Sequence, residues 1–368
     1  MTKPIDNNLK FNILTEGSSA VIDAVRALCS QSVVFFHGIF ICGTLSNLLP
    51  PNFPYLQSIS VIIFFIISGF IIPYTVEKKL SIDGNYNFKY YFLDRFTRIY
   101  CVLIPSLIFI TMVDNVVWAI CGNFSSYLEN VNIKTFISNA AMVQYTSISN
   151  TESFGTGRPL WTLAIEWWIY MAYGYYILVT FKKNNVSILN LLILFLFAAI
   201  PIINMVNAYS LTLSWVLGLV CFKLYSNNIF EIKNKPLLFI ILMLLLALII
   251  KRIVKTDGGY DHVTSILIAS SMLLTIYFFK DFNFGTYMKK IIAFFANYSF
   301  SLYLIHYTIF AAGMAVINHN TKSLHPFFSF IILWIICNLI SYFFGFLFEQ
   351  RLTKYLRSYF ITNKIIIK

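Results

Sequence analysis

Charge is scarce in this chain of 368 residues: Asp, Glu, Lys and Arg together make up 11%, and only 15 residues are acidic. A soluble globule needs a charged, solvated exterior, and it cannot bury a sequence that is 58% hydrophobic. No long hydrophilic segment is present, which leaves no room for a second soluble domain, and neither internal repeats nor low-complexity tracts occur. The six cysteines (Cys29, Cys42, Cys101, Cys121, Cys221, Cys337) form no CxxC pair and no ligand-like spacing. They read as small apolar packing residues, so neither a metal centre nor a disulfide framework is expected.

Apolar runs fill the space that charge leaves. About ten of them have the length that crosses a bilayer as helix, at roughly 27–46, 55–76, 99–121, 161–181, 188–206, 208–226, 236–254, 262–280, 297–317 and 326–348. Many of the 23 tyrosines sit at the edges of these runs, as interfacial belts require. The net charge of +12 does not form a nucleic-acid surface. With the N-terminus inside, 21 of the 27 basic residues fall in cytoplasmic segments, leaving Lys134, Arg158, Lys251, Arg252, Lys255 and Lys322 outside. The loop at 251–261, with three of those six, is the segment that opposes this assignment. The expected fold is therefore all-α: a polytopic membrane protein of about ten transmembrane helices, both termini cytoplasmic. Residues 1–22 are expected as a cytoplasmic N-terminal segment, 23–350 as the transmembrane domain and 351–368 as a basic cytoplasmic tail. The polar start has no apolar core of its own, so the first span is expected to act as an uncleaved signal. Two loops remain to complete a site, Glu77–Arg98 inside and Gly122–Leu160 outside.

Ionisable groups inside a membrane are costly and mark function. His37 lies eleven residues after Arg26 in one apolar run, which at 1.5 Å per residue puts it roughly 16 Å deeper, near mid-membrane. His306 lies nine residues after Asn297, roughly 13 Å into a later span, so both imidazoles reach similar depth from the same side and suit a shared cavity. Glu166, in PLWTLAIEWWIY, lies about 8 Å below the outer face if Trp161 marks the interface. It is placed to orient an imidazole, to hold a sugar hydroxyl, or simply to pair with Arg158. Asp114 reads as structural. Arg95 and Arg98 share one helix face at spacing i, i+3 and can grip phosphate oxygens with two planar forks; the plainer alternative is that they anchor the helix, with Asp94 pairing one of them. Asp23 and Arg26 stand in the same relation and can neutralise each other. Cationic groups at the inner face with a base at mid-depth describe a tunnel: an anionic acyl donor on one side, an alcohol on the other, and an imidazole to take the alcohol's proton.

The same stretches resemble the acyltransferase-3 family of integral membrane O-acyltransferases. IDAVRALCSQSVVFFH resembles the family's Arg-x10-His opening, with Arg26 and His37 in place. FFIISGFIIPY at Phe64–Tyr74 resembles its FFxxSGF segment, which contains Ser68. FLDRFTRIY carries the Arg-x2-Arg element as Arg95 and Arg98. PLWTLAIEWWIY and NYSFSLYLIHYTIF resemble the late WSLxxE and SYSLYLxH blocks, giving Trp161, Glu166, Ser301 and His306. The resemblance runs from about residue 20 to the last span. It implies a ten-helix fold and transfer of an acyl group, usually acetyl from acetyl-CoA, to a carbohydrate hydroxyl of a surface glycan such as O-antigen. It implies that His37 is catalytic, with Glu166 and His306 assisting. Arg26, Arg95 and Arg98 would bind the CoA donor, and Trp161, Ser301 and Ser68 would support the acceptor. No bound cofactor is implied; the partners would be acetyl-CoA, a carbohydrate acceptor that is lipid-linked, and membrane lipids, in a bacterial inner membrane. Trp167 stands where a second Glu is common, and Tyr307 where Trp is usual. Without the extracytoplasmic domain some relatives carry after the last span, any later transfer step is expected to fall to this domain. Two other classes compete: a proton-coupled transporter or flippase of an anionic or lipid-linked solute, with His and Glu as proton relays, and a non-catalytic scaffold, which leaves the deep His37 unexplained.

Overall fold

Within the described residues, each of the ten apolar runs folds as a helix. The computed structural model describes residues 13–44, 56–122, 129–181, 187–203, 208–229, 234–255, 260–319 and 324–362; Lys3, Lys10, Lys182, Lys183, Lys233, Lys322, Lys364 and Lys368 lie outside them. The helices are α1 (Glu16–Cys42), α2 (Leu56–Ile82), α3 (Phe88–Cys121), α4 (Ile133–Ala140), α5 (Leu160–Tyr175), α6 (Ile188–Ile203), α7 (Ala208–Ser226), α8 (Lys235–Lys255), α9 (His262–Phe278), α10 (Gly285–Ala296), α11 (Ser299–His319) and α12 (Pro326–Phe344). Among the described residues, six helical segments are long and apolar enough to span a bilayer, and three shorter apolar helices lie at 188–202, 210–226 and 262–278. α5 continues as a wider turn through Thr180. α4 and α10 are short additions that the hydropathy pattern did not separate.

Local chemistry sets the helix ends. Thr15 caps α1 by accepting from the Ser18 backbone N–H, and Gly43, at φ 62°, closes it in the left-handed region. The helix thus starts at Glu16. Asn87 caps α3 through the backbone N–H groups of Lys89 and Tyr90. With 34 residues, α3 is about 51 Å long, well beyond a hydrocarbon core of about 30 Å. It is therefore long enough for its first turns, with Arg95 and Arg98, to extend beyond the hydrocarbon core.

The starts of α1, α3 and α11 meet at one end of the bundle, the basic end. The chain after α12 also returns there, staying helical through Gly345–Leu352, Thr353–Arg357 and Ser358–Thr362. Residues 351–360 are mostly exposed, and they are tied to the bundle where Arg357 Nε lies 2.9 Å from Asp94 of α3. The opposite end is covered by α4 and the loop after it. Asp114 near the end of α3 accepts from the Thr156 backbone N–H at 2.9 Å and its hydroxyl at 2.7 Å, which ties this loop down and bears the structural reading of that acid. The three basic residues that opposed the topology are partly balanced there, since Arg252 donates from two nitrogens to Asp261, both at 2.9 Å.

α11 runs through the middle, with Leu302, Leu304, Ile305 and His306 fully buried. α6 and α8 instead expose Leu and Ile outward, the pattern of a lipid-facing perimeter. Two close approaches need glycine. A Cβ on Gly69 of α2 would lie 1.9 Å from the Trp215 carbonyl oxygen of α7, and one on Gly38 of α1 would lie 2.6 Å from the Phe310 ring of α11. The second approach carries the neighbouring His37 against α11.

Candidate active site

Two cavities enter the bundle from opposite ends. The inner one, about 280 Å³, opens among Asp23, Arg26, Arg95 and Arg98 and reaches Ser68 and Glu166. The outer one, about 450 Å³, holds His37, Arg158, Trp161, Tyr145, Glu152 and Tyr260 among its walls.

His37 and His306 meet as their depths suggested. His37 Nδ1 lies 2.9 Å from His306 Nε2, with ring planes 9° apart and centroids 5.2 Å apart, the geometry of an in-plane N–H···N bond. His306 Nδ1 lies 3.1 and 2.8 Å from the Leu302 and Tyr303 carbonyl oxygens. A carbonyl only accepts, so Nδ1 of His306 carries the proton and its Nε2 is an acceptor. His37 must then donate from Nδ1, which leaves Nε2 of His37 as the basic nitrogen. One hydrogen-bond chain fixes the tautomer of both rings. His306 is fully buried, whereas His37 lines the outer cavity.

The three arginines converge on the inner cavity but differ in their partners. Arg26 pairs with Asp23 at 3.1 Å, the neutralising option read from the i, i+3 spacing. Arg98 donates to Glu349 at 3.0 Å. Arg95 stacks over Tyr91 at 6.0 Å and makes no ion pair among the described residues; its Nε is buried without a hydrogen-bond partner there. The expected pairing of Asp94 with Arg95 or Arg98 does not form. Asp94 is held by Lys79, Arg357 and the Tyr86 hydroxyl, because its side chain points away from the cavity toward α2 and the chain after α12.

Glu166 belongs with the arginines, not with the histidines. Its carboxylate accepts from the Tyr170 hydroxyl, which is 2.8 Å from Ser68 Oγ, which accepts from Trp215 Nε1 at 3.2 Å. This relay of donors ends on the carboxylate and pins it to the inner wall, so Glu166 neither orients the imidazoles nor pairs with Arg158. Arg158 instead stacks over Tyr307 at 5.6 Å, and Tyr307 meets His37 edge-on at 5.6 Å.

The remaining expected positions divide between the two cavities. Trp161 lines the outer one, edge-on to Tyr260 at 5.7 Å. Ser68 lines the inner one. Ser301 is buried and faces neither: its backbone N–H and hydroxyl donate to Glu349 at 3.1 and 2.9 Å. Glu349 is the residue that sequence reasoning missed. It is 3% exposed and joins Ser301 of α11 to Arg98 of α3. Its signal was present, since it is the only acidic residue after Asp281. The departure at Trp167 falls in helix packing, against Phe92 and Tyr100, while the one at Tyr307 falls beside His37.

A family profile described as an acyltransferase domain matches residues 20–350, nearly the whole chain. The chain belongs to the acyltransferase-3 family. Neither a curated protein nor a solved structure gives a significant match. Membership makes this protein a multi-pass membrane acyltransferase and favours acyl transfer over the transport reading.

Proposed function

We propose that this acyltransferase moves an acetyl group from acetyl-CoA to a carbohydrate hydroxyl of a surface-glycan precursor, an O-antigen or capsule-like chain, in a bacterial inner membrane. The observation that carries the reading is the His37–His306 pair at 2.9 Å, which leaves a basic Nε2 on the ring that lines the outer cavity. The cationic inner cavity supports a polyphosphate donor, with Arg95 as the guanidinium that has no carboxylate partner among the described residues. Trp161, Tyr145 and Tyr260 beside Glu152 and Arg158 support a sugar acceptor, offering flat apolar faces next to hydrogen-bonding groups.

In this mechanism the acceptor hydroxyl oxygen attacks the thioester carbonyl carbon while His37 Nε2 takes the hydroxyl proton. His306 keeps Nδ1–H of His37 engaged, so the imidazolium that forms retains its hydrogen bond. The tetrahedral intermediate collapses with cleavage of the C–S bond, and the proton on His37 passes to the departing thiolate. The products are an ester and a free thiol. Membranes of the native host carrying His37→Ala at normal protein level should incorporate labelled acetyl from acetyl-CoA into glycan at least about 100-fold more slowly. Unchanged incorporation would refute the assigned base.

A further inference from the structure

The inner and outer cavities share three wall residues, each from a different helix: Val61 of α2, Thr162 of α5 and Tyr303 of α11. Thr162 Oγ1 and the Tyr303 hydroxyl are 2.7 Å apart, a hydrogen bond that joins two of the three shared wall residues. Tyr303 is braced on one side by Phe64, whose ring centroid is 5.7 Å away. On the other it is linked to the histidine pair, since its own carbonyl accepts from His306 Nδ1 at 2.8 Å. Glu166, one helical turn after Thr162, faces the arginine side, and His37 faces the other. A donor held by the arginines and a base that opens to the far chamber can therefore react only across this shared wall.

From this arrangement we infer that Val61, Thr162 and Tyr303 form a gate that selects the acyl group by length. The inference rests on the acyl-transfer reading and adds a specificity-determining set to it. Parting one hydroxyl–hydroxyl bond makes a narrow slot with Val61 at its rim. Val61 is buried, and a β-branched side chain in a helix has one strongly preferred rotamer, so it stays at the rim when a longer chain arrives. The slot suits an acetyl group, and each added methylene held within it must displace Val61, Thr162 or Tyr303. A single methylene discriminated by a tight apolar wall is worth about 10–200-fold in rate. The covalent step is the one already balanced: the C–S bond breaks, the C–O bond forms, and the hydroxyl proton goes by way of His37 to the thiolate. The gate alters only which acyl groups bring their carbonyl carbon within reach.

The test compares acetyl-, propionyl- and butyryl-CoA, each with a labelled acyl group, in native-host membranes containing the full chain. The readout is the ratio of incorporation rates, which is independent of protein amount. The parent should prefer acetyl over propionyl by about tenfold or more and over butyryl by a larger factor. Thr162→Ala and, separately, Val61→Ala should raise the propionyl-to-acetyl ratio by about tenfold. Tyr303→Phe removes the hydrogen bond and one oxygen atom from the slot, less than the two heavy atoms lost in Thr162→Ala, and should raise that ratio by a smaller factor than Thr162→Ala does. Val61→Ala touches no hydrogen bond and lies on a different helix, so it provides the second widening if Thr162→Ala fails to accumulate. Equal use of the three thioesters by the parent, or unchanged ratios in both widened variants, overturns the gate while leaving acyl transfer standing. No incorporation from any CoA thioester by the parent removes the donor reading itself.

Discussion

Replacing His306 with Phe keeps a flat ring in a fully buried site but removes the acceptor for His37 Nδ1–H. Two outcomes are open to His37, and both reduce turnover. If it keeps the proton on Nδ1, a buried N–H is left unpaired, at about 1–3 kcal/mol. If it moves the proton to Nε2, the basic nitrogen disappears from the position that the hydrogen-bond chain prescribes. With about 1.36 kcal/mol for each factor of ten, the first route predicts a fall of roughly 5–150-fold in kcat. The arginines line the other cavity, so KM for acetyl-CoA should move less than about threefold, the pattern of a group that acts after the donor has bound. His306→Gln offers a carbonyl oxygen to the same N–H and should recover much of the loss. The assay is labelled acetyl incorporation by membranes at a series of acetyl-CoA concentrations, normalised to protein level. A His306→Phe protein with kcat within twofold of the parent, or with its whole loss in KM, would refute the argument from the tautomer.

Three further outcomes follow from the packing and charge pairs. Glu349→Ala removes the carboxylate that accepts from Arg98 and twice from Ser301; losing a charge-assisted bond at a site 3% exposed should cost about 1.5–3 kcal/mol of stability, read as a lower melting temperature in detergent, and an unchanged melting temperature would refute the role of this link. Gly38→Ala sets a Cβ 2.6 Å from the Phe310 ring and 2.9 Å from Phe330, overpacking of about 1–3 kcal/mol, so the melting temperature in detergent should fall and turnover should drop with it as His37 is pushed from α11. Asp261, at the outer end, is held well below the usual carboxylate range by hydrogen bonds from Arg252 and Thr264. A depressed value stabilises the fold above the unfolded-state value of about 3.9 and is lost as pH falls through the folded one. Asp261→Asn should therefore melt below the parent at pH 7 and at pH 5, with the gap closing only under strongly acidic conditions; equal melting temperatures at pH 7 would refute the contribution of this clasp.

What the sequence by itself determined is position along the membrane normal. Helix rise is fixed at 1.5 Å per residue, so counting from the ends of apolar runs located the ten helices and brought His37 and His306 to a common depth. It also collected the arginines at one end, because those residues precede their runs. What only the tertiary structure decided is which side chains face one another across helices. That depends on how each helix is rotated, which follows from interdigitation with neighbours far away in sequence rather than from hydropathy. Rotation turns Glu166 of α5 toward the arginine chamber while Trp161, five residues earlier, lines the other. It turns Asp94 from the adjacent arginines to Lys79 and Arg357. It brings Glu349, in a stretch that reads as the edge of a tail, to a buried place between Ser301 and Arg98. The Thr162–Tyr303 contact spans 141 residues of chain, and nothing in either segment alone announces that those two hydroxyls meet.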